Sequence, residues 1–418
     1  MTGSPRILIV AENASAKFGG EAILPLHYFR VLRKRGVETW LIVHERQRDE
    51  LAALFPNDFD RIRLIPDSRT QYWLFRLSKP LPGQLRHFTA GFTSRLISQR
   101  RARKWARDLI AEQKIDVVHQ PIPVSPKESS LLYGLGVPVI MGPLNGGMSY
   151  PAGFKAAQGK LTASFMSIGR ALSGVLNWLM PGKLRADLIL VANERTRVAL
   201  PRKVRGKVVT LVENGVDLSL WVQPQTRNDK VKTTRFAFTG RLVDWKAVDL
   251  LLDAFKIVAQ NRDVHLDIVG DGPMRQSLQN QAASQGISDH VTFHGWVPQK
   301  HLPDRLREAD VLVLPSLYEC GGAVVLEAMA CGLPVIASDW GGPADYLDSS
   351  CGILVKPISR MQFANDLAAA MYRLTDFPDL RKEMGQAGRK KVEASFDWER
   401  KVDRLLELIE PLCQREHS

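Results

Sequence analysis

Two glutamates eight residues apart, Glu319 and Glu327, flank the glycine pair Gly321-Gly322 in the stretch VLVLPSLYECGGAVVLEAMACGLPVIASDWGGPADY, Val311 to Tyr346. After the glycines, Ala323 and Val324 open a segment of helical composition, AVVLEAMA. A helix start presents unpaired N–H groups and the positive end of the dipole, which suits an anion. Two carboxylates beside a phosphate would repel it, so their chemistry is to accept hydrogen bonds from hydroxyls. A site for phosphate and polyhydroxyl groups together points to a nucleotide sugar. Upstream, Arg241 and Lys246 stand five positions apart just after the run FAFTG, Phe236 to Gly240. That spacing sets two cations over the end of a strand.

The surrounding elements follow from apolar runs and their punctuation. Val311–Leu314 reads as a buried parallel strand ended by Pro315, and Gly332-Leu333-Pro334 stops the helix before a second strand, Val335–Ala337. An amphipathic helix begins near Val248. The strand His265–Val269 leads to the turn Gly270-Asp271-Gly272-Pro273, and Val291–Gly295 leads to Trp296-Val297-Pro298. In the first half, Arg6–Val10 forms a strand, a loop passes through Gly19-Gly20 into a helix over Glu21–Lys34, and Val37–Val43 is the next strand. This opening lacks a full G-x-G-x-x-G, which argues against a dinucleotide site. The glycine pair reads equally as a close approach to a ligand or as a plain tight turn. Ile115–His119 is a strand ending in a histidine, where open α/β sheets hold ligands. His119 is either part of a site or a hydrogen-bonded strand-end residue. Further strands cover Ala186–Ala192 and Val208–Val212, and the polar stretch Gln223–Thr234 reads as a linker. Strands alternating with helices throughout predict an α/β protein with parallel sheets.

At 418 residues, two domains are the natural division. No apolar run approaches the roughly 20 residues needed to span a bilayer, and the first residues run straight into a strand. The four cysteines show no metal-ligand spacing and read as free thiols of a reducing cytosol. Charge is lopsided: residues 1–220 hold 33 Lys+Arg against 17 Asp+Glu, net +16, and the remainder 24 against 27, net −3. An anionic partner for the first half alone is expected. Arg69 to Arg107 contains ten Lys/Arg, no acid, and interleaved Tyr72, Trp73, Phe75, Phe88, Phe92 and Trp105. It reads as a solvated basic face, a membrane-surface helix or a nucleic-acid surface, and no nucleic-acid module motif supports the last. Leu161–Met180 is apolar and is expected in the core rather than on a docking surface. Asp58-Phe59-Asp60 has Asp-x-Asp spacing, but its charged loop argues against a metal site, so no metal or cofactor is expected.

Taken together, these motifs resemble the retaining glycosyltransferases of family four. Glu319, seven residues, Glu327 and then Ala-Met-Ala-x-Gly-x-Pro-Val-Ile-Ala resemble that family's donor site. Gly240, Arg241 and Lys246 match its Gly-Arg…Lys motif, Gly270–Pro273 its Gly-Asp-Gly-Pro turn, and Asn214–Asp217 its Asn-Gly-Val-Asp signature. The resemblance implies an α/β protein of two Rossmann-like, doubly wound parallel-sheet domains facing across a cleft, called GT-B. Their expected extents are 1–222, basic and on the acceptor side, and 235–395 for the donor, with 396–418 as a helix crossing back to the first domain. It implies that Arg241 and Lys246 clamp the donor diphosphate, that Glu319 contacts the donor sugar and that Glu327 contacts the ribose. Gly19, Gly20, Gly321, Gly322, Ala323 and Val324 would line the diphosphate, and Trp296 and Val297 the base, although Trp296 also reads as a packing residue. His119 and Asn145 would lie on the acceptor side. Where the family often has His-x-His, this chain has His119-Gln120-Pro121, and where it has Glu-Gly-Phe-Gly, this chain has Glu319-Cys320-Gly321-Gly322. The implied activity is metal-independent, retaining sugar transfer from a nucleotide sugar to a saccharide or lipid-linked hydroxyl in envelope or exopolysaccharide synthesis. The implied place is the cytoplasm, on the inner membrane face through the basic half. A sugar-nucleotide epimerase or phosphorylase on the same fold is the competing expectation.

Overall fold

The computed structural model describes residues 4–17, 20–78, 91–157, 173–222 and 233–414. The chain divides into two units: the first holds Met1–Gly147, Phe165–Glu213 and Lys401–Ser418, and the second holds Met148–Ser164 and Asn214–Arg400. In the first, β1 (Ile7–Val10), β2 (Thr39–His44), β3 (Ile62–Ile65), β4 (Val117–Gln120), β5 (Val139–Leu144), β6 (Leu188–Val191) and β7 (Lys207–Thr210) form one sheet. Its order is β3-β2-β1-β4-β5-β6-β7, and every pair is parallel.

In the second unit, β8 (Thr234–Thr239), β9 (Val264–Val269), β10 (Val291–Gly295), β11 (Val311–Leu314), β12 (Val335–Ser338) and β13 (Gly352–Val355) run β10-β9-β8-β11-β12-β13, again all parallel. Both orders reverse direction once, between β1 and β4 and between β8 and β11, which is the doubly wound arrangement. Ligands of such sheets bind outside the strand C-termini at the reversal. The motif loops after β8 and β11 therefore leave the sheet at its switch point.

Helices cover the sheets because the strands are apolar on both faces; all four residues of β11 are buried. The helix Val248–Ala259 buries Val248, Leu251, Leu252, Phe255 and Val258 at helical spacing and packs against the helix Arg360–Asp376. Phe236, Phe238 and Phe255 are fully enclosed, each contributing about 1.5–3 kcal/mol. The final helix, Trp398–Cys413, starts in the second unit and belongs to the first from Lys401 on. There Arg35 Nη1 donates to Asp403 Oδ1 at 2.7 Å, and the Lys401 ammonium donates to the Val212 carbonyl. The four cysteines form no disulfide.

The basic stretch splits into the helices Arg69–Ser78 and Phe92–Gln113. Its aromatics divide as well: Trp105 packs on the first core, while Tyr72 and Trp73 are exposed. The expectation for Leu161–Met180 needs correction in its described part. Residues 173–179 are helical, but Ser173 and Asn177 face inward and Val175, Trp178 and Leu179 outward. The reason is local: Asn177 Nδ2 donates to the Lys127 and Ser173 carbonyls, so the polar side is the anchored one.

Candidate functional site

The loop after β8 rests on the glycine turn after β9. Leu242 N donates to Asp271 O at 2.9 Å and Met274 N to Leu242 O at 3.1 Å. A Cβ at Gly270 would lie 1.9 Å from Gly240 O, and one at Gly272 2.3 Å from Leu242 O. Only glycine allows this backbone contact, so Gly270-Asp271-Gly272-Pro273 is the platform for Gly240 and Arg241. The single turn Asp244–Lys246 follows, closed by Ala247 in the left-handed region, φ 52°. It aims the Lys246 ammonium at Glu319, to whose Oε2 it donates. Both side chains are largely shielded, at 15% and 17% exposure, which strengthens the pair relative to a surface one. Leu317 N donates to Trp245 O at 2.8 Å, tying the β8 loop to the β11 loop. Arg241 is exposed and makes no hydrogen bond or ion pair with the described residues.

Gly322 caps the helix Ala323–Ala330 in the left-handed conformation, φ 86°. A Cβ there would press on Glu319 Cγ at 3.1 Å. Gly342 N donates to Glu319 O at 2.8 Å, and a Cβ at Gly341 would meet that oxygen at 2.4 Å. Glu319 is thus held by backbone on both sides, above the half-buried first turn of Ala323 and Val324. Those two residues carry first-turn amides that have no intrahelical acceptor. Burial pushes the Glu327 carboxyl up to about 7, with a hydrogen bond from Gln299 opposing the shift. Gln299 follows the loop of Trp296 and Val297; Trp296 is 71% exposed, so it is no packing residue of this unit. Arg241, Lys246, Glu319, Gly321, Gly322 and Glu327 therefore lie on the segments that follow the C-terminal ends of the adjacent central strands β8 and β11. A fixed ammonium, an open guanidinium, free amides and two carboxylates can together hold a diphosphate and its hydroxyl-bearing ends.

In the first unit, Gly20 is exposed and left-handed, φ 56°, and Gly19 lies outside the described residues. His119 is fully buried. Burial holds its pKa down to about 4, so it is neutral at pH 7. The ring then donates from Nε2 to Gly142 O at 2.7 Å and stands edge-on to Tyr28, centroids 4.8 Å apart. Asn145 is buried too: its Nδ2 donates to Glu213 Oε1 at 2.6 Å, and its neighbour Gly146 donates to Thr196 Oγ1. These bonds lie inside the unit, and His119 Nδ1 is buried with no hydrogen-bond partner among the described residues. Asp58 accepts from Arg33 Nε at 2.8 Å.

Sequence reasoning missed two aromatics. Tyr318 precedes Glu319 directly, a signal that was available. Tyr150 stacks on it with centroids 5.2 Å apart, and no local pattern marked it. It also missed the buried Lys183 and Lys401, whose burial holds each ammonium down to about 7.

Residues 221–391 match the family described as Glycosyl transferases group 1. A GDP-mannose-dependent monoacylated alpha-(1-6)-phosphatidylinositol monomannoside mannosyltransferase of Corynebacterium glutamicum is 31% identical over 215 residues, 47% of this chain and 55% of that protein. A D-inositol 3-phosphate glycosyltransferase of Streptomyces scabiei is 38% identical over 177 residues, 39% of this chain and 38% of that protein. The chain thus spans about half the length, or less, of these curated relatives. In fold, Anabaena HepE in complex with UDP superposes with a TM-score of 0.67 at 15% identity, over 97% of this chain and 100% of that one.

Proposed function

From the place of residues 221–391 in the glycosyl transferases group 1 family, we propose that this chain moves a sugar from a nucleotide-sugar donor to a hydroxyl acceptor. The observation that carries this reading is the shielded Lys246–Glu319 pair beside the glycine-opened helix at the sheet's switch point. Breaking the sugar–phosphate bond leaves negative charge on the nucleoside diphosphate, and that charge must be met in the transition state. Lys246 and Arg241 meet it, helped by the amides of Ala323 and Val324. Glu319 accepts from the donor sugar's hydroxyls while its pairing with Lys246 fixes the ammonium. Glu327 accepts from the ribose hydroxyls, and Trp296 and Val297 border the base.

No metal ion is needed in this scheme, because the cations belong to the chain. The acceptor hydroxyl attacks from the face the diphosphate leaves, which retains the anomeric configuration. The acceptor we propose is a saccharide carried on an anionic lipid, reached by docking the basic half on a membrane's cytoplasmic face. A cavity of about 600 Å³ in the first unit supports this reading. Phe92 and Leu96 line it at one end of the helix Phe92–Gln113, and Arg100, Arg103, Lys104 and Arg107 further along. With Asp108 the single acid and Leu131, Leu176, Leu179 and Met180 also in the wall, a net cationic and partly apolar lining suits an amphiphile with an anionic head. No helix among the described residues is long and apolar enough to cross a membrane.

The test incubates the protein with UDP- and GDP-sugars, with and without a bacterial lipid extract, and measures nucleoside diphosphate release. Release that requires extract, with sugar appearing on lipid, is expected. Conversion of the donor with no acceptor present would establish the epimerase alternative instead.

A further inference from the structure

Residues Met148 to Phe154 come from the first half of the chain, yet they are built onto the second unit. Met148 Cε lies 2.6 Å from where a Cβ of Gly341 would sit, and that same Cβ would lie 2.4 Å from Glu319 O. Trp340 Nε1 donates to Ser149 O at 2.9 Å. Tyr150 stacks on Tyr318 with rings 26° from parallel. Further on, a Cβ at Gly153 would collide with Ile358 O at 1.8 Å, so backbone lies directly on backbone there. Phe154 is buried edge-on to Phe363, centroids 6.2 Å apart. This is a strap fixed at both ends rather than a free loop. Its first three residues bracket Glu319, with Met148 against the backbone behind the glutamate and Tyr150 on the ring before it. Asp244, two residues from Lys246, also acts on the Tyr150 hydroxyl, which burial and that carboxylate together hold above its ordinary value.

We propose that Tyr150 is a positioning residue of the donor site: by stacking on Tyr318 it holds Glu319 in the orientation that receives the sugar moiety of the donor. The inference rests on the function proposed above and adds a residue to that site. It accounts for how the loop stays ordered although Cys320-Gly321-Gly322 supplies no bulky side chain after Glu319. Tyr150 acts on the sugar side through Glu319, and reaches the diphosphate only at one remove, through the Lys246 that Glu319 pairs with. The nucleoside diphosphate is held by Lys246, Arg241 and the helix amides, and among the described residues no hydrogen bond or ion pair joins the strap to Lys246 or Arg241.

The test measures Kd by calorimetry for UDP, GDP, UDP-glucose and GDP-mannose on the unmodified chain, Tyr150→Ala, Tyr150→Phe and Trp340→Phe. Loss of an aromatic stack is expected to weaken nucleotide-sugar binding about tenfold in Tyr150→Ala, with nucleoside diphosphate binding weakened several-fold less. Tyr150→Phe restores the ring and the affinity, and Trp340→Phe, which loses the bond to Ser149 and part of the ring while leaving the Tyr150–Tyr318 stack, gives a smaller loss of the same kind. Equal weakening for diphosphate and nucleotide sugar, or no weakening for either, overturns the proposal. If the unmodified chain binds no nucleotide or nucleotide sugar, the functional reading itself fails, which the variants' relative affinities do not enter.

Discussion

Replacing Glu327 by Gln separates what this carboxyl does for stability from what it does for binding. Burial holds its pKa at about 7 in the folded chain, against 4.5 when unfolded. Between those values the native protein keeps a proton that the unfolded chain has lost. The group's contribution is therefore complete below pH 4.5 and disappears as pH rises through 7. The two pKa values correspond to about 3 kcal/mol. Gln stays neutral throughout, so Glu327→Gln should match the parent at pH 4.5 and exceed its stability by about 3 kcal/mol at pH 8. Binding runs the other way. A carboxylate accepts from ribose hydroxyls, so parental donor affinity should rise about tenfold per pH unit up to 7 and then level off. In the variant it should be weaker above pH 7 and independent of pH. Urea unfolding at pH 4.5, 6 and 8, with donor titrations alongside, measures both. Parallel stability profiles for the two proteins, or a variant less stable at pH 8, would refute the reasoning.

Lys246→Ala should lower turnover about 10²–10³-fold, the usual cost of losing one transition-state charge stabiliser; near-normal turnover in a folded variant counts against the clamp. Turnover should persist in excess chelator, and its loss there, restored by magnesium, would replace the proposed mechanism with a metal-assisted one. Gly270→Ala puts a methyl 1.9 Å from Gly240 O and should destabilise by about 1–3 kcal/mol, seen as a lower melting temperature together with weaker donor binding. Lys183 donates to Ser125 O at 2.7 Å, and burial holds its ammonium down to about 7. Folding releases its proton between pH 7 and 10.5, so its destabilising effect is full below pH 7 and fades as pH rises. Lys183→Met should accordingly be more stable than the parent at pH 6, with the advantage shrinking towards pH 10 in thermal melts.

The strands and the donor motifs were legible because their signals are local. The predicted strand Val311–Leu314 and helix Ala323–Ala330 coincide with the observed ones, since apolar runs and glycine stops act within a few residues. Strand β5 (Val139–Leu144) went unassigned; its run carries Gly142 and Pro143, punctuation that reads as a turn. The outward face of residues 173–179 was misread because composition cannot tell an apolar surface from an apolar core when polar residues do the anchoring. Of the two readings of His119, the hydrogen-bonded strand-end residue matches its bond to Gly142 O; Asn145 was placed by resemblance to a glycine-rich loop, and its burial depends on what folds over it.

Residue order alone determined alternating strands and helices, a lopsided charge and a run of glycines and charges suited to a nucleotide sugar, because hydrophobic period and turn chemistry are properties of neighbouring residues. The doubly wound order of the sheets was expected only from the family resemblance. Tertiary structure decided which charges meet. Lys246 is paired with Glu319, the Glu327 carboxyl is half-buried and pushed up to about 7, and Tyr150 arrives from a distant stretch of chain to stack on the ring beside the first glutamate. Ionisation and aromatic contact depend on distance and enclosure, and these exist only once the chain has folded.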